Sequence, residues 1–566
     1  MDDNTQNDYG YGSAIHGDGG QLYPYGITVK TTGGNATRTT YKTTSVTWNN
    51  LLTWDKTFGE HSFNAMLGHE YYHYNQQYTN AYGEGIMQLG QFELSSTTMN
   101  WSNSSNRIRY ALLSFFGKID YNFANRYYLS ASFRRDGSSR FSKDSRWGNF
   151  FSVGGSWRLS KEAFMENTTS WLDNLALRAS FGTSGNDKLY QRNGGSAGSE
   201  IYYAYQGYYT SDNLYGMSGY KPSTIATPDL KWEKNKQFNA AVDFGFLGRL
   251  NGTIEYYTRN SADLLYYKDL PLSAQVGDAT GYNTNLGNVR NQGVEITLNF
   301  TAIKNRDFEW NIDFNFSTLS NKVTYLPSGP YNYQVNSAYY RLEEGKSLYE
   351  FYMPKNAGVN PENGNMQYWI KDGNGGWKTT ENYADVTTED YQWCGSSIPK
   401  AFGSITNNLK WKNWDLSMMW YASFGSKMFD YGWLEGTTVR DGVGLWQDQI
   451  EGKVWEKPGD NAKFPRWSAD DYSSTRKTTD FYLFNNDYLR LRNLTVGYTL
   501  PRVLTQKLHL SYARLYLSGD NLFTFGSAAK RHSDPETELT GNNYNGNSGG
   551  VQSSRRVFMG GIQISF

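Results

Sequence analysis

The sequence predicts an all-β fold: a transmembrane antiparallel β-barrel of about fifteen strands carrying long extracellular loops. Three observations lead there. Strand-length windows alternate apolar and polar residues, the connections between them alternate short and long, and the last window ends on the final residue, Phe566. In that window Phe558, Gly560, Ile562, Ile564 and Phe566 share one face. A chain that ends inside a strand must pair that edge, most simply by closing a barrel.

Composition agrees with a barrel and disfavours other classes. The mean hydropathy is -0.70, and no run approaches the roughly 18 apolar residues of a membrane helix. Outer-membrane strands escape that test because half of each faces a wet lumen. The 46 Tyr, 30 Phe and 18 Trp suit interfacial girdles and aromatic loops. With 54 basic and 54 acidic side chains, charge gives no argument for a nucleic-acid partner. The lone Cys394 cannot form an internal disulfide and reads as a packed thiol.

The windows follow in order. Phe238 to Phe246 puts apolar residues on even positions, against Gln237, Asn239 and Asp243, and Leu250 to Tyr256 repeats the pattern after a turn at Gly248-Arg249. Val294 to Phe300 and Phe308 to Phe316 do the same, the latter against Glu309, Asn311, Asp313 and Asn315. Strict period two is a strand signal. Strands are expected near 38–57, 61–80, 107–122, 126–136, 149–160, 173–184, 234–246, 249–266, 291–302, 307–322, 401–411, 414–428, 487–500, 508–524 and 555–566. The links at 58–60, 123–125, 303–306, 412–413 and 501–507 are short, whereas 81–106, 185–233, 323–400, 429–486 and 525–554 are long. Outer-membrane barrels place short turns in the periplasm and long loops outside the cell. A passive porin without a plug and a soluble carbohydrate-binding or adhesion β-protein are the alternatives; the odd strand count disfavours the first and the bulky apolar faces disfavour the second.

Traced backward from Phe566, the first strand must run toward the periplasm, which assigns 1–35 to an extracellular loop and 36–566 to strands and loops. Met1 is followed by Asp2-Asp3-Asn4, not by a basic and apolar leader. An odd number of strands beginning outside the cell reads as the C-terminal part of a longer barrel.

Several motifs carry a family resemblance: Arg126-Tyr-Tyr-Leu-Ser-Ala-Ser-Phe-Arg-Arg-Asp-Gly-Ser-Ser-Arg-Phe141, Leu177-Arg-Ala-Ser-Phe-Gly-Thr-Ser-Gly-Asn186, Asn285-Leu-Gly-Asn-Val-Arg-Asn-Gln-Gly-Val-Glu-Ile296, Asp487-Tyr-Leu-Arg-Leu-Arg-Asn-Leu-Thr-Val-Gly-Tyr-Thr-Leu-Pro501 and Gly519-Asp-Asn-Leu-Phe523. In this order they resemble the SusC/RagA family of TonB-dependent outer-membrane transporters of Bacteroidetes. The resemblance implies a 22-stranded barrel plugged by an N-terminal domain, capped by a SusD-like surface lipoprotein and energised by TonB–ExbB–ExbD. It implies import of oligosaccharide or, second, of peptide, with outer-membrane lipid around the wall. It makes the strand ending at Phe566 the assembly signal. The plug and about seven strands are expected to lie outside this chain.

Candidate sites are few. His69 and His73 flank Glu70, but on a strand they lie roughly 13 Å apart, too far for one metal. Asp534, Glu536 and Glu538 form a carboxylate cluster of the kind that holds calcium, read first as a solvated turn. The cluster Arg134 to Phe141 reads as a strand end whose charges pair locally, and 358–364 reads as a β-turn. The aromatic loops have the strongest claim to binding: Tyr202, Tyr203, Tyr205, Tyr208, Tyr209, Tyr215 and Tyr220 in one, Tyr331, Tyr333, Tyr339 and Tyr340 in another. Tyrosine faces stack on sugars and also on protein partners. No nucleophile–base arrangement stands out, and Glu295 and Asp313 read as lumen lining, so an enzyme is not expected.

Overall fold

The computed structural model describes residues 2–8, 21–22, 28–29, 35–85, 93–193, 196–214, 216–327, 329–335, 338–437, 447–467, 477–531, 533–536 and 554–566. Fifteen long strands build one antiparallel sheet: β1 Asn35–Phe58, β2 His61–Glu84, β3 Met99–Phe123, β4 Tyr127–Ser138, β5 Trp147–Arg158, β6 Leu172–Asn186, β7 Glu233–Phe246, β8 Leu250–Ala262, β9 Asn288–Lys304, β10 Phe308–Thr318, β11 Ala401–Trp411, β12 Trp414–Phe424, β13 Tyr488–Thr499, β14 Tyr512–Gly526 and β15 Val557–Ser565. Each pairs with its neighbours in sequence, and Ser320–Tyr325 continues β10 along β9. No helix is long and apolar enough to cross a membrane among the described residues.

Three expectations need correction. Residues Asp2–Asp8 are not loop but a strand antiparallel to the start of β1, from Asp2↔Tyr41 to Asp8↔Asn35. Strand β3 begins at Met99, well before position 107, because its pairing with β2 continues, through one irregularity after Tyr82, to Glu84↔Met99. Within that extension, Ser102-Asn-Ser-Ser-Asn106 has no apolar alternation to betray it. Finally, the alternation of connections has an exception. The link 139–146 on the long-loop side is shorter than 159–171 on the short-turn side. The latter folds into two 3-10 turns, with Glu162 accepting from Trp157 Nε1 at 2.9 Å and from Arg126 at 3.4 Å. At the closing edge, β15 registers with β14 from Tyr512↔Ser565 to Asp520↔Val557.

The two faces of the sheet differ as period two demands. On one face Ile254 stands opposite Ile296, Leu298 opposite Phe314, and Phe314 opposite Ile405. Gly252 lets the Phe244 ring lie across it; a Cβ there would sit 2.6 Å from that ring and 2.7 Å from Leu298. Large apolar side chains of this face are exposed, Leu67 at 65% and Leu52 at 69% among them. Aromatic pairs mark its short-turn border: Tyr127 on Trp157 at 6.2 Å, Trp171 on Phe246 at 6.0 Å and Trp414 on Tyr498 at 4.8 Å. The opposite face is a polar ladder. Asn299 and Asn408 donate to the two oxygens of Asp313 at 2.7 and 3.0 Å, and Ser417 donates to Asn408 at 2.8 Å, joining β9 to β12. Arg178 of β6 reaches Asp243 of β7 at 3.1 Å and Glu255 of β8 at 2.6 Å. Such a face needs water or polar contents beside it, since buried polar groups without partners are costly.

The short turns close with little sequence. Leu247 and Gly248 take φ of 54° and 60°, where the glycine meets no Cβ penalty. The long connections instead build structure of their own. Buried Phe141, Phe150, Leu189, Leu230 and Trp232 pack above β4 to β7, and a larger cluster gathers Tyr340, Phe351, Met353, Phe429, Trp433 and Tyr482 above β10 to β13.

Candidate functional site

The long-loop end holds the candidate binding surface, and its tyrosines divide into anchors and exposed faces. Tyr202 is an anchor. Its ring lies 4.2 Å from the Arg140 guanidinium, stacks on Tyr74 at 6.4 Å, and its hydroxyl donates to Glu200 at 2.8 Å. Arg140 is buried, lies 4.8 Å from the Tyr110 ring, and ion-pairs with Glu200 at 2.6 Å. Burial opposes ionisation of Glu200, but the hydrogen bonds from Arg140 and Tyr202 outweigh it and hold the carboxyl below its usual range. Tyr203 pins the same loop to the barrel. Its hydroxyl accepts from the Arg109 amide at 2.8 Å and donates to the Arg109 carbonyl at 3.1 Å, satisfying the edge of β3 above the end of β4.

Tyr205 accepts from Gln206 at 3.0 Å, and Tyr208 donates to the same amide. Tyr208 and Tyr209 then enter a hairpin, Tyr208–Leu214 with Met217–Thr224, whose register puts Tyr209 and Tyr220 on one face. Both are solvent-facing, at 70% and 83% exposure. Tyr215 lies outside the described residues. Tyr331 and Tyr333 sit in a second body, a sheet of Tyr331–Val335, Ala338–Leu342, Glu350–Met353 and Gln392–Ser396. Tyr333 stacks on buried Tyr340 at 5.3 Å and donates to the Leu348 carbonyl at 2.8 Å, which makes it core; the Tyr331 hydroxyl meets that of Tyr266.

The other face of this second sheet was not apparent from sequence. Tyr339 and Tyr391 meet at 5.3 Å, Tyr352 and Trp393 at 5.0 Å, and all four are half-buried. Arg341 lies over Tyr352 at 5.0 Å and Lys346 over Trp393 at 4.5 Å. The result is an aromatic slab edged by cations. The spacing Tyr391-Gln-Trp393 could have revealed it, because i and i+2 share a strand face. Cys394, beside it, is half-buried; burial pushes its thiol up to about 12.

The remaining candidates resolve into local pairing. Asp534 and Glu536 do come together, but around the buried Arg490 guanidinium: Glu536 at 2.8 Å, Asp534 in contact, with Arg492 reaching Glu536 at 2.7 Å. The turn expected to be solvated is buried instead, and the Arg490 guanidinium occupies the space between these carboxylates; Glu538 lies outside the described residues. Burial works against ionisation of Asp534, yet the Glu536 amide and Arg490 hold its carboxyl below the usual range. His69 lies between Trp48 and Phe115 on the apolar face, at 6.0 and 5.1 Å. No group of three or more metal-ligating side chains forms among the described residues. Arg134 chelates Asp136 at 2.7 and 3.0 Å and contacts Ser114 at 2.8 Å. In 358–364 the Asn360 side chain turns the chain by accepting from Glu362 N at 2.9 Å.

Comparison with known proteins gives this arrangement its family. The family described as TonB dependent receptor-like, beta-barrel matches residues 2–424. The chain belongs to that family. TonB-dependent receptor P3 of Formosa agariphila is 28% identical over 572 residues, covering 94% of this chain and 53% of that protein. TonB-dependent receptor SusC of Bacteroides thetaiotaomicron is 27% identical over 528 residues, covering 88% and 48%. A solved structure of the RagAB peptide transporter superimposes with a TM-score of 0.77 at 26% identity, over 94% of this chain and 56% of that one. This receptor barrel thus spans about half the length of the curated relatives it matches. As an outer-membrane β-barrel of the SusC/RagA kind, it turns its apolar face to lipid and its polar ladder to the lumen.

Proposed function

We propose that this receptor barrel serves TonB-dependent nutrient import, with an oligosaccharide as cargo, a SusD-like lipoprotein as cap and TonB–ExbB–ExbD as the energy source. It acts as a transporter and not as an enzyme. The observation that carries the cargo reading is the slab of Tyr339, Tyr352, Tyr391 and Trp393. Flat aromatic faces hold sugar rings by their C–H surfaces, and neighbouring cations and hydroxyls supply orientation. The polar ladder of β9 to β12 below it offers hydroxyl-sized donors and acceptors along the lumen. Peptide is the second reading, favoured by the likeness to the RagAB peptide transporter at 26% identity.

Titration of the detergent-solubilised receptor with neutral oligosaccharides and with short peptides separates them. Oligosaccharide binding should weaken about tenfold in Trp393→Ala, the scale of one lost aromatic contact. Peptide binding without sugar binding would replace the first reading with the second, and binding of neither would contradict both.

A further inference from the structure

Two neighbouring turns at the short-turn end form a patch that cargo transport does not explain. The Lys412-Asn413 turn joins β11 to β12, and the helix Arg502–Lys507 lies between β13 and β14. They are clipped together: Thr499 N donates to the Asn413 carbonyl, and Asn413 Nδ2 donates to the Thr499 carbonyl, each at 2.8 Å. The helix buries Thr505 and leaves Val503 and Leu504 bare, at 67% and 48% exposure, as is Leu508 just past its end, at 60%. Exposed apolar residues scattered singly need no explanation, but three together on one turn beside exposed Trp411 and Trp414 do. The strip follows closely in the chain after Tyr498, whose ring lies 4.8 Å from that of Trp414 on the lipid-facing row of β12.

Three cations border the strip. Lys412, Arg502 and Lys507 are all exposed, and none makes an ion pair among the described residues. Lys412 rests its ammonium 5.8 Å from the Trp411 ring. Of the carboxylates nearby, Asp415 is already held by Arg514, with Nε at 2.9 Å. Asp307 meets Lys412 through its backbone carbonyl, which accepts from Lys412 N at 2.7 Å, with no side-chain ion pair between them among the described residues. The two turns themselves, 412–413 and 500–511, contain no Asp or Glu. An amphipathic turn with a bare apolar side and unpaired cations at its margin is the signature of a segment lying in a membrane interface.

We propose that this corner of the rim binds the headgroup phosphate of an anionic glycerophospholipid in the leaflet facing the short turns. The apolar strip takes the upper acyl chain, and Lys412, Arg502 and Lys507 surround the phosphate. Free phosphate would account for the cations but not for Val503, Leu504 and Leu508. A lipid accounts for both, and continuity with the lipid-facing wall places one there. The inference rests on membrane placement and is independent of the cargo.

The test reconstitutes the full chain in nanodiscs containing phosphatidylcholine and phosphatidylglycerol in equal parts and counts retained lipids by native mass spectrometry. The receptor should retain phosphatidylglycerol in preference, and high salt should erase that preference. Lys412→Gln/Arg502→Gln/Lys507→Gln should lower it by roughly fivefold for each cation removed. Val503→Ser/Leu504→Ser/Leu508→Ser should reduce retention of both lipids. An unchanged lipid ratio in the cation variant, or a preference indifferent to salt, overturns the proposal. If the triple variant fails to assemble, Arg502→Gln/Lys507→Gln changes only the helix outside the sheet and decides the same question.

Discussion

At the long-loop end Arg140, Arg490 and Arg531 are buried against carboxylates, whereas at the short-turn end Lys412, Arg502 and Lys507 stand exposed and make no ion pair among the described residues. The difference follows from what each end must do. A long connection has no sheet to lean on, so it assembles its own core and ties itself down with charge. Arg531, for example, lies 3.6 Å from the Phe484 ring and donates to fully buried Asp430 at 3.2 Å. A short turn is held by the strands it joins, and its side chains are left free to meet the membrane surface. Charge therefore orders the long loops at one end, while at the other it ties down the link 159–171 through Arg126 and Glu162 and leaves the turns 412–413 and 500–511 to address lipid.

The comparison breaks most visibly if the buried network is opened. Arg490→Met leaves Asp534 without its cation and Glu536 with Arg492 alone in a buried site, a cost of about 3–5 kcal/mol. Limited proteolysis should then cut the segment 527–536 much faster, while the short turns stay resistant; unchanged cleavage would mean that the network does not order the loop. Next in size is the test of the wall between the two ends. Phe314→Arg or Ile312→Arg puts a charge on the lipid face at about 2–4 kcal/mol, so assembled, heat-modifiable protein should fall sharply. Asn311→Arg, on the polar face, should assemble almost normally, and equal behaviour of the three would refute the assignment of faces.

A smaller effect comes from pH. Glu200 and Asp534 have carboxyls held below the usual range, so their contribution is complete above the ordinary carboxylate value of about 4. It is lost as pH falls through the lowered values. The loops that follow β6 and β14 should therefore resist acid-stable protease down to about pH 4 and loosen below it. Loosening already near neutrality would contradict the pairing. Least in size is the terminal strand: deleting Phe566, whose carbonyl accepts from Ser511 Oγ at 3.2 Å, should slow assembly without lowering final stability much. Pulse-chase of outer-membrane insertion measures it, and an unaltered rate would count against an assembly role.

Strands were readable because lipid on one side and water on the other impose period two on each of them. Phe308 to Phe316 could be assigned face by face for that reason, and the Lys412-Asn413 turn followed from its flanking windows. Where that constraint lapses, legibility lapses too: the polar top of β3 and the strand Asp2–Asp8 carry no alternation. The loops were legible only in composition. Tyr202 and Tyr333 stand out as tyrosines, but their roles depend on Arg140 and Tyr340, and Tyr352 meets Tyr391 across a sheet whose one local sign is the spacing Tyr391-Gln-Trp393. Asp534 and Glu536 looked like a cation site and are one; the cation, Arg490, sits 44 residues away in sequence.

The orientation of the two ends is the claim on which the rest depends. It is tested by single cysteines at Tyr220→Cys and Gln506→Cys in a Cys394→Ser background, labelled on intact cells with a membrane-impermeant maleimide. Residue 220 should label at once, and residue 506 only after the outer membrane is permeabilised. Labelling of residue 506 on intact cells, with residue 220 protected, would contradict the account.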